Sequence, residues 1–388
     1  MMRRFVPFVL AATLLAAAPA RATELRAHGL LDLVLASGDA ALDGNRFTQG
    51  DSNFDPYRLH LFVDAKVSPT IDVYLESILH EGGTPIGADG AYAQWTPWAE
   101  RDAHLEAGKI PWPIGTWAAR AYSDQNPLVG TPLMEQYHTS LAWNVPVASV
   151  DALVAAAGKG PSGVGYASGV TGMPVLDDRW WDVGAVVLGS QRPFEYALGV
   201  TQGSPGWPVG GEDVTPGQTV LGRFGLAPVA GLRAGVSGSW GTWMPEWFAA
   251  SLPDGGSTRD YHEGLGMADL ELSRGPWELH SEGFLKTWDT QNAGTLHVRG
   301  GYAEARLGIG AGAWLAARYG VMRFGDVTTS AGVTRPWDDG VDRLEAGVGY
   351  RVSHDVRVKA AFQRDVTHPW AADAQASDLV ALTASIRL

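Results

Sequence analysis

The chain has 388 residues, a formal net charge of -13 and no cysteine. An acidic chain without a basic patch is a poor partner for nucleic acid, and the absence of cysteine excludes disulfide bonds. The 49 glycines and 16 tryptophans favour many strands joined by tight turns over a helical enzyme. A soluble propeller or lectin-like sandwich would share this composition, so the order of strands and connections has to decide.

Residues 1–22 are predicted to be a signal peptide. Arg3 and Arg4 give a basic start, residues 5–18 form an apolar core, and residues 20–22 form an A-x-A cleavage signal. The apolar core is too short for a permanent span, and no later stretch approaches ~18 continuous apolar residues. We therefore expect an exported protein that begins at Thr23, and helical membrane proteins are excluded.

Alternation of apolar and polar side chains begins early in the mature chain. Leu25–Ala36 places leucines on one face and Asp32 on the other, and Tyr57–Val67 and Ile71–His80 repeat the pattern around a tight turn. Period-two alternation is typical of a strand whose two faces meet different surroundings. The inward faces supply the first candidate pore-lining residues, which are Arg58, Asp64, Asp72 and Glu76.

The middle of the chain continues as paired strands. Ala91–Trp98 and His104–Ile110 form one pair, with Glu106 facing inward, and the irregular segment 111–135 follows. Two further strands are predicted near Gln136–Val145 and Ser149–Ala157. Short turns then join later pairs, which are Trp180–Gly189 with Phe194–Gln202, Gln218–Ala227 with Leu232–Thr242, Leu265–Ser273 with Trp277–Thr287, and Thr295–Leu307 with Ala313–Phe324. Arg223 and Arg233 have the inward parity.

The hairpin Val341–Val366 and the closing strand Asp378–Leu388 show the alternation most clearly. One face is small and apolar, and the other carries charge of both signs. The runs are about ten residues long, which is the length that a tilted strand needs to cross a bilayer. This pattern predicts lipid outside and water inside. The inward basic residues here are Arg343, Arg351, Arg357 and Lys359.

The connections alternate between short turns and longer polar loops. They give about 18 strands, or 16 if the chain has been divided wrongly at one place, and single-chain bacterial barrels have an even number. A propeller would instead show a repeat of ~40–50 residues, which does not occur. The sequence therefore predicts an all-β fold, a transmembrane antiparallel β-barrel that covers residues 23–388.

One motif resembles a known family. Ala91–Trp95, a turn and His104–Gly115 are similar to the strand–turn–strand of phosphate-selective-porin-like barrels, among the bacterial outer-membrane porins. In that family a Gly-Lys/Arg-aromatic-x-x-Pro-Phe-Gly run opens a loop that folds into the lumen. The matching residues are Gly108, Lys109, Pro113 and Gly115, whereas Ile110 and Ile114 replace aromatics and Leu388 replaces the usual final Phe.

The resemblance implies that 111–135 is an inward-folded constriction loop; the alternative is an ordinary surface loop. In a narrowed lumen a few fixed charges set ion preference, because the local dielectric is lowered. The candidate constriction residues are Lys109, Trp112, Trp117, Arg120, Tyr122, Asp124 and Glu135. The resemblance further implies a place in the bacterial outer membrane, contact with its lipid, insertion by the barrel-assembly machinery, no cofactor, and a homotrimer as one assembly, which no sequence feature decides.

Two arrangements of the inward charges remain open. Acids lie mostly early in the chain and bases late, so the walls would hold a transverse field, or neighbouring strands would pair their charges at little gain each. Aromatic residues near strand ends predict an interfacial girdle, made of Trp95, Trp98, Trp180, Trp181, Trp277 and Tyr350.

The predicted function is an outer-membrane porin for passive diffusion of small hydrophilic solutes or ions, with an anion preference from the late basic cluster. A sugar-specific porin is the first alternative, with an aromatic slide that begins at Trp112, Trp117 and Tyr122. A barrel hydrolase near Asp260 and His262 is the second. No motif supports a catalytic metal; Asp51–Asp55 begins like a calcium loop, but Pro56 stands where the glycine belongs.

Overall fold

The computed structural model describes residues 24–39, 47–48, 51–80, 87–158, 172–178, 180–206, 217–252 and 256–388. The predicted signal peptide lies outside the described residues. In chain order the strands are β1 (Glu24–Gly38), β2 (Tyr57–Ser68), β3 (Ile71–His80), β4 (Gly87–Trp95), β5 (Asp102–Pro111), β6 (His138–Ala142), β7 (Gly172–Pro174), β8 (Trp181–Gln191), β9 (Phe194–Thr201), β10 (Thr219–Val229), β11 (Leu232–Thr242), β12 (His262–Arg274), β13 (Trp277–Thr290), β14 (Gly294–Gly308), β15 (Ala313–Phe324), β16 (Asp326–Thr328), β17 (Thr334–Pro336), β18 (Gly340–Arg351), β19 (Val356–His368) and β20 (Gln375–Arg387).

Sixteen of these strands close into one antiparallel barrel, in which each strand pairs with its neighbours in sequence. The barrel closes where β1 pairs with β20, with Leu31 opposite Ile386. Outside the barrel, β6 pairs with β7 and β16 pairs with β17.

Helical segments are short. The α-helices are Leu133–Gln136 and Val150–Ala155, and the 3-10 helices are Ser52–Phe54, Ala118–Arg120, Glu246–Ser251 and Thr258–Asp260. Within the described ranges, no helix has the length and apolar character needed to cross a membrane.

The outer face of the barrel is apolar, as the alternation predicts. Leu198 and Leu285 are 66% and 65% exposed although each lies within a strand, and Leu344 and Val348 are also exposed. Such side chains are stable on a surface that lipid covers. The register therefore confirms the division between an outward apolar face and an inward polar face.

The predicted aromatic girdle is only partly present. Trp95, Trp98 and Trp277 are about half exposed near strand ends, as is Tyr350. Trp181 is buried instead, and the neighbouring Trp180 packs its ring edge-on against Tyr122 at 6.2 Å between centroids. These two tryptophans follow a loop that turns into the barrel, so they pack inward rather than at an interface.

The strand count is 16, the lower of the two predicted values, and the two extra strands are absent from the barrel wall. The segment predicted as Gln136–Val145 contains only the short strand β6, and Ser149–Ala157 contains the helix Val150–Ala155. The Oγ of Ser149 accepts a hydrogen bond from the Ala152 amide at 3.1 Å and caps that helix. Their apolar residues pack into the barrel interior instead of facing lipid, with Leu141 and Leu153 buried.

Much of the hydrophobic core lies inside the barrel. Residues of the β5–β8 connection, among them Trp117, Leu133 and Tyr137, form one buried cluster with inward residues of the wall such as Phe284 and Met322. A barrel of this width has room for more than its own side chains. The connection therefore occupies space that water would otherwise fill.

Candidate functional site

The connection between β5 and β8 enters the lumen and runs along the wall. Gly115 donates its amide to the Ser237 hydroxyl on β11 at 3.1 Å, and the Thr116 hydroxyl donates to Glu282 on β13 at 2.8 Å. Gly115 has φ +63°, and a Cβ there would stand 2.7 Å from the Glu282 carboxylate. Glycine is therefore required where the segment first touches the far wall.

The same segment next meets β14. Arg120 forms an ion pair with Glu304, and its guanidinium lies 5.6 Å from the Trp117 ring centroid. The Arg318 guanidinium of β15 lies 5.2 Å from that ring and pairs with Glu304 at 3.2 Å. Arg120 is therefore part of a buried charge network with Glu304 and Arg318 rather than an isolated cation.

Three buried cations then hold the backbone of residues 123–131, which we call the clamped segment. Lys359 Nζ donates to the carbonyl oxygens of Ser123, Asn126 and Leu128 at 2.8, 3.1 and 2.7 Å. Arg343 donates to the Thr131 carbonyl at 3.1 Å, and Arg318 donates to the Gly130 carbonyl.

Lys359 and Arg343 were predicted to line the pore, and they do point inward. The clamped segment covers them, however, so that only 4% and 1% of each residue remains exposed. Arg343 is further paired with Asp365 at 2.6 Å. The alternation in the sequence predicts whether a side chain faces inward, but it does not predict whether a loop covers that side chain. Arg318 on β15 also faces inward, although it was not among the predicted residues.

The β5–β8 connection also contacts the first strands of the barrel. The Ser123 hydroxyl donates to Asp32 on β1, which also pairs with Arg58 at 3.0 Å. The Tyr122 hydroxyl donates to Glu76 on β3 at 2.6 Å. Burial, followed by the charge of Glu76, raises the pKa of Tyr122, so this phenol remains protonated.

Asp124 lies among arginines near the C-terminal end of β20. It accepts from Arg387 Nε at 2.7 Å and lies 3.7 Å from Arg357. Arg351 faces Arg357 directly across β18 and β19. Arg306, on β14, pairs with Glu278 at 2.5 Å. We call Arg306, Arg351, Arg357 and Arg387 the arginine cluster.

A cluster of paired acidic and basic side chains lies on β9–β12. Arg223 pairs with Asp269 at 2.5 Å, and Arg233 pairs with Glu195 at 2.8 Å and Glu271 at 3.0 Å. Arg233 remains half exposed in the lumen. Both predicted pore-lining arginines are thus held by acids of neighbouring strands.

Asp64, Asp72 and Glu106 face the lumen on β2, β3 and β5. Asp64 and Asp72 are half-buried, whereas Glu106 is buried with His104 Nε2 at 3.6 Å. None of these three carboxylates accepts a hydrogen bond from a residue in the described part of the chain. This wall differs from the others, where arginine or lysine holds most acids.

Lys109 departs from its predicted place. It shares a face with Leu105 and Ala107, opposite Ala91 of β4, and this is the outward side of the strand. Its Nζ donates to the Ala88 carbonyl at 3.0 Å. The positive φ of Gly108, +131°, does not change the pairing parity, so the lysine of the motif stays out of the lumen.

Glu135 lies in the helix Leu133–Gln136, inside the barrel. Burial raises its pKa well above the usual range, and the charge of Glu282 raises it further, while Lys286 opposes the shift. Lys286 is itself fully buried and pairs with Glu263 at 3.0 Å. Neither Lys286 nor Glu263 was predicted, although both have inward parity.

Local pairing accounts for many of the inward charges. Bases of the late strands are neutralised in part by acids on adjacent strands, as in Arg318 with Glu345 at 2.6 Å. Of the two arrangements left open by the sequence, neighbour pairing describes most of the wall. The arginine cluster and the wall of Asp64, Asp72 and Glu106 are the two places where one sign prevails.

The residues on which the sugar-specific porin, the barrel hydrolase and the calcium-like loop would depend make other contacts in the structure. Trp112 and Trp117 are buried, so neither presents a ring to a passing sugar. Asp260 accepts from the Ser257 amide in a capping box at 3.1 Å, and the His262 ring stacks on Trp240. Asp51 accepts from the Asn53 and Thr131 amides at 2.9 and 3.3 Å. No group of His, Asp or Glu in the described ranges is arranged to hold a metal ion.

Comparison with known proteins identifies the fold. No family model matches the chain, and no curated protein matches it. The solved structure of an anion-selective porin from Comamonas acidovorans is 8% identical with a TM-score of 0.60, over 94% of this chain and 99% of that chain. Salmonella typhi OmpF, in a complex with daunomycin, is 10% identical with a TM-score of 0.57, over 95% and 98%.

A third structure, in-vitro folded OmpT of Vibrio cholerae in its trimer form, is 10% identical with a TM-score of 0.52, over 94% and 99%. At such identities the likeness shows the fold alone. The closed barrel, its apolar outer face and these neighbours together indicate a β-barrel of the bacterial outer membrane.

Proposed function

We propose that this chain, which has the fold of bacterial outer-membrane porins, is a channel for passive diffusion of small hydrophilic solutes or ions. One observation carries the proposal: the β5–β8 connection narrows the lumen, and charged side chains beside it remain accessible. Arg233 and Arg387 are 47% and 37% exposed at the side chain, although both face inward. Charged groups keep such exposure only where water reaches them.

We further propose that the channel prefers anions, because of the arginine cluster. Three of its four guanidinium groups, those of Arg306, Arg357 and Arg387, pair with the two carboxylates of Asp124 and Glu278 within the described part of the chain. Arg351 and Arg357 oppose each other directly, which is unfavourable unless an anion or water lies between them. An excess of positive charge at a narrow passage attracts anions.

The test is conductance of the purified, refolded protein in a planar bilayer under a potassium chloride gradient. Steady conductance steps are expected, with a reversal potential that shows chloride preference. Arg357→Gln should lower the chloride-to-potassium permeability ratio about eightfold, because a unit charge ~7 Å from the ion path in water shifts the energy of each ion by about 0.6 kcal/mol, with opposite signs for chloride and potassium. Arg274→Gln is the control, because Arg274 is exposed on the outward face of β12.

The proposal of passive diffusion and the proposal of anion preference can be refuted separately. A folded barrel that never conducts would overturn passive diffusion, and the connection would then be a plug. Conductance with the same permeability ratio in Arg357→Gln and the native protein would remove the arginine cluster from selectivity.

A homotrimer is the assembly that we propose, because a structure of similar fold is described as a trimer. Cross-linking in lipid vesicles followed by mass determination tests it, and a monomer at all protein concentrations would contradict it. Outer-membrane lipid and the barrel-assembly machinery remain expected partners. The narrower resemblance to phosphate-selective-porin-like barrels rests on the motif around Gly108 and Gly115 and stays a prediction.

A further inference from the structure

Three arginines point outward from the barrel, towards the surrounding lipid. They are Arg299 on β14, Arg323 on β15 and Arg364 on β19, and we call them the outward arginines. Each alternates with inward residues along its strand, as Arg364 does between the buried Gln363 and Asp365. A charge on the lipid face is costly at the middle of the bilayer and is tolerated near the polar headgroups.

The outward arginines lie towards the end of the barrel that carries the longer loops. Arg323 is the penultimate residue of β15, and residues 325–339 then lead to β18. At the opposite end, residues 352–355 join β18 to β19 in a short turn. Barrels of the outer membrane have longer loops on the extracellular side and short turns on the periplasmic side. The outward arginines therefore face the outer leaflet.

Arg299 is the least satisfied of the three. It is exposed, lies directly opposite Arg323, and forms no ion pair with a residue that the structure describes. Asp289, the outward acid on β13, stands ~13 Å further towards the loop than the position facing Arg299, and it accepts from a threonine hydroxyl at 2.8 Å. Like charges directly opposite repel each other, so Arg299 and Arg323 together favour an anion beside them.

Arg323 is held in place yet remains accessible. Its Nη2 pairs with Asp342 Oδ1 at 2.7 Å and its Nη1 donates to the Val341 carbonyl at 3.0 Å, while 43% of the side chain stays exposed. Arg364 is also half exposed at the side chain and lies 3.5 Å from Asp378. Two paired carboxylates therefore accompany three guanidinium groups, and the surface keeps a positive charge.

An apolar groove of about 540 Å³ lies on the same outward face. Ala346 on β18 and Ala360 on β19 have shorter side chains than Phe362 and Val380 beside them, and all four line the groove. Phe362 is two residues from Arg364 on the same face of β19, a distance of ~7 Å along the strand. The groove therefore begins next to an outward arginine and continues along the wall towards the short turns.

The outward arginines and the groove together suit an anionic lipid. A guanidinium matches the oxygens of a phosphate with two parallel hydrogen bonds, and acyl methylenes are stabilised where apolar surface covers them. A free anion would contact the arginines but not the groove, and an apolar partner would contact the groove but not the arginines. A molecule with a phosphate head and an acyl chain contacts both.

We propose that the outward arginines and the groove form one binding site for a phosphate-bearing lipid of the outer leaflet. Its headgroup phosphates contact the arginines, and one acyl chain lies in the groove on β15–β20. The site is on the outside of the wall, so the proposal depends on the place of the barrel in the outer membrane and not on conduction through the lumen.

The probe is lipid A that carries two phosphates. Phosphatidylcholine, whose headgroup has no net charge, and inorganic phosphate are its counterparts. Binding is measured by native mass spectrometry of the detergent-solubilised barrel, which reports bound lipid and oligomeric state in one spectrum. Phosphatidylcholine should bind about tenfold more weakly than lipid A, and inorganic phosphate at the same concentration should not displace lipid A.

Two variants test the two parts of the site. Arg299→Gln should weaken binding of lipid A about fivefold, since it removes one guanidinium near the headgroups. Ala346→Phe fills the groove and should weaken binding roughly tenfold, which corresponds to about two acyl methylenes that are no longer covered. Arg274→Gln is the matched control, because Arg274 is also an exposed outward arginine but lies at the short-turn end of β12.

Thermal unfolding checks the fold of each variant, and the control should keep native affinity. Equal binding of lipid A and phosphatidylcholine, displacement by inorganic phosphate, or native affinity in Arg299→Gln would overturn the lipid site. Loss of oligomers in Ala346→Phe with native affinity for lipid A would assign the groove to a second copy of the chain and overturn it too.

Conductance separates this site from the proposed channel. Arg299→Gln should conduct like the native protein, because its side chain is outside the lumen. A barrel that binds lipid A with the expected variant effects but never conducts would support the lipid site and refute passive diffusion. A conducting barrel without preference for lipid A would do the reverse.

Discussion

Replacing Lys359 by methionine should release the clamped segment, residues 123–131. The Lys359 ammonium donates to three loop carbonyls at 2.7–3.1 Å and is almost wholly buried. Methionine has a similar length but no donor, so the Ser123, Asn126 and Leu128 carbonyls would face a thioether. Because buried acceptors without partners are costly, the segment should leave the wall more often.

The magnitude follows from opposing contributions. Hydrogen bonds from a charged donor contribute about 1.5–3 kcal/mol each, but burying the ammonium costs several kcal/mol, and water can rehydrate the released carbonyls. A net loss of about 3 kcal/mol remains, which corresponds to roughly a hundredfold larger population of the detached segment.

Trypsin cleavage after Arg120 and single-channel conductance measure this population. Cleavage in Lys359→Met should be faster by up to about a hundredfold if opening precedes cleavage, and conductance should increase. Lys66→Met is the control, because it removes a lysine that is exposed near the end of β2. Native rates of cleavage together with native conductance would refute the role of Lys359 as a clamp.

Two further changes test single loop residues. Asp124→Asn removes the carboxylate shared by Arg357 and Arg387, so the chloride-to-potassium permeability ratio should increase about eightfold; an unchanged reversal potential would contradict this. Glu135→Gln tests burial: the raised pKa means that the folded state holds a proton that the unfolded state releases above about pH 4.3, so native stability falls as pH rises beyond that value. The variant should therefore unfold at a higher temperature than the native protein at pH 8 and at a similar one at pH 4, and an equal difference at both pH values would contradict the raised pKa.

The barrel was predictable because its cause is local. Alternation in runs such as Val356–Phe362 depends only on whether successive residues face lipid or the interior, and this period is written directly into the sequence. The same rule gave the inward direction of Arg58, Arg223 and Arg343. The strand count was not fixed by this rule, because Leu141 and Leu153 lie in apolar segments that face an interior core instead of lipid.

The surroundings of the inward residues were not predictable. Lys359 and Arg351 have the same inward parity and the same charge, yet one is covered by three loop carbonyls and the other is exposed among arginines. That difference depends on contacts between residues more than two hundred positions apart. Pairing with an acid on the neighbouring strand, as in Arg223 with Asp269, likewise requires the register of the strands.

The sequence by itself therefore determined the class of fold, the two faces of each strand and the presence of a long connection after β5. Only the tertiary structure decided which charges the connection covers, that Lys109 stays outside, and that Glu106 is buried with His104 as its ion-pair partner. The physical reason is that alternation records the contrast between lipid and interior along one strand. Burial and pairing inside the barrel depend instead on strands and loops that meet only when the barrel closes.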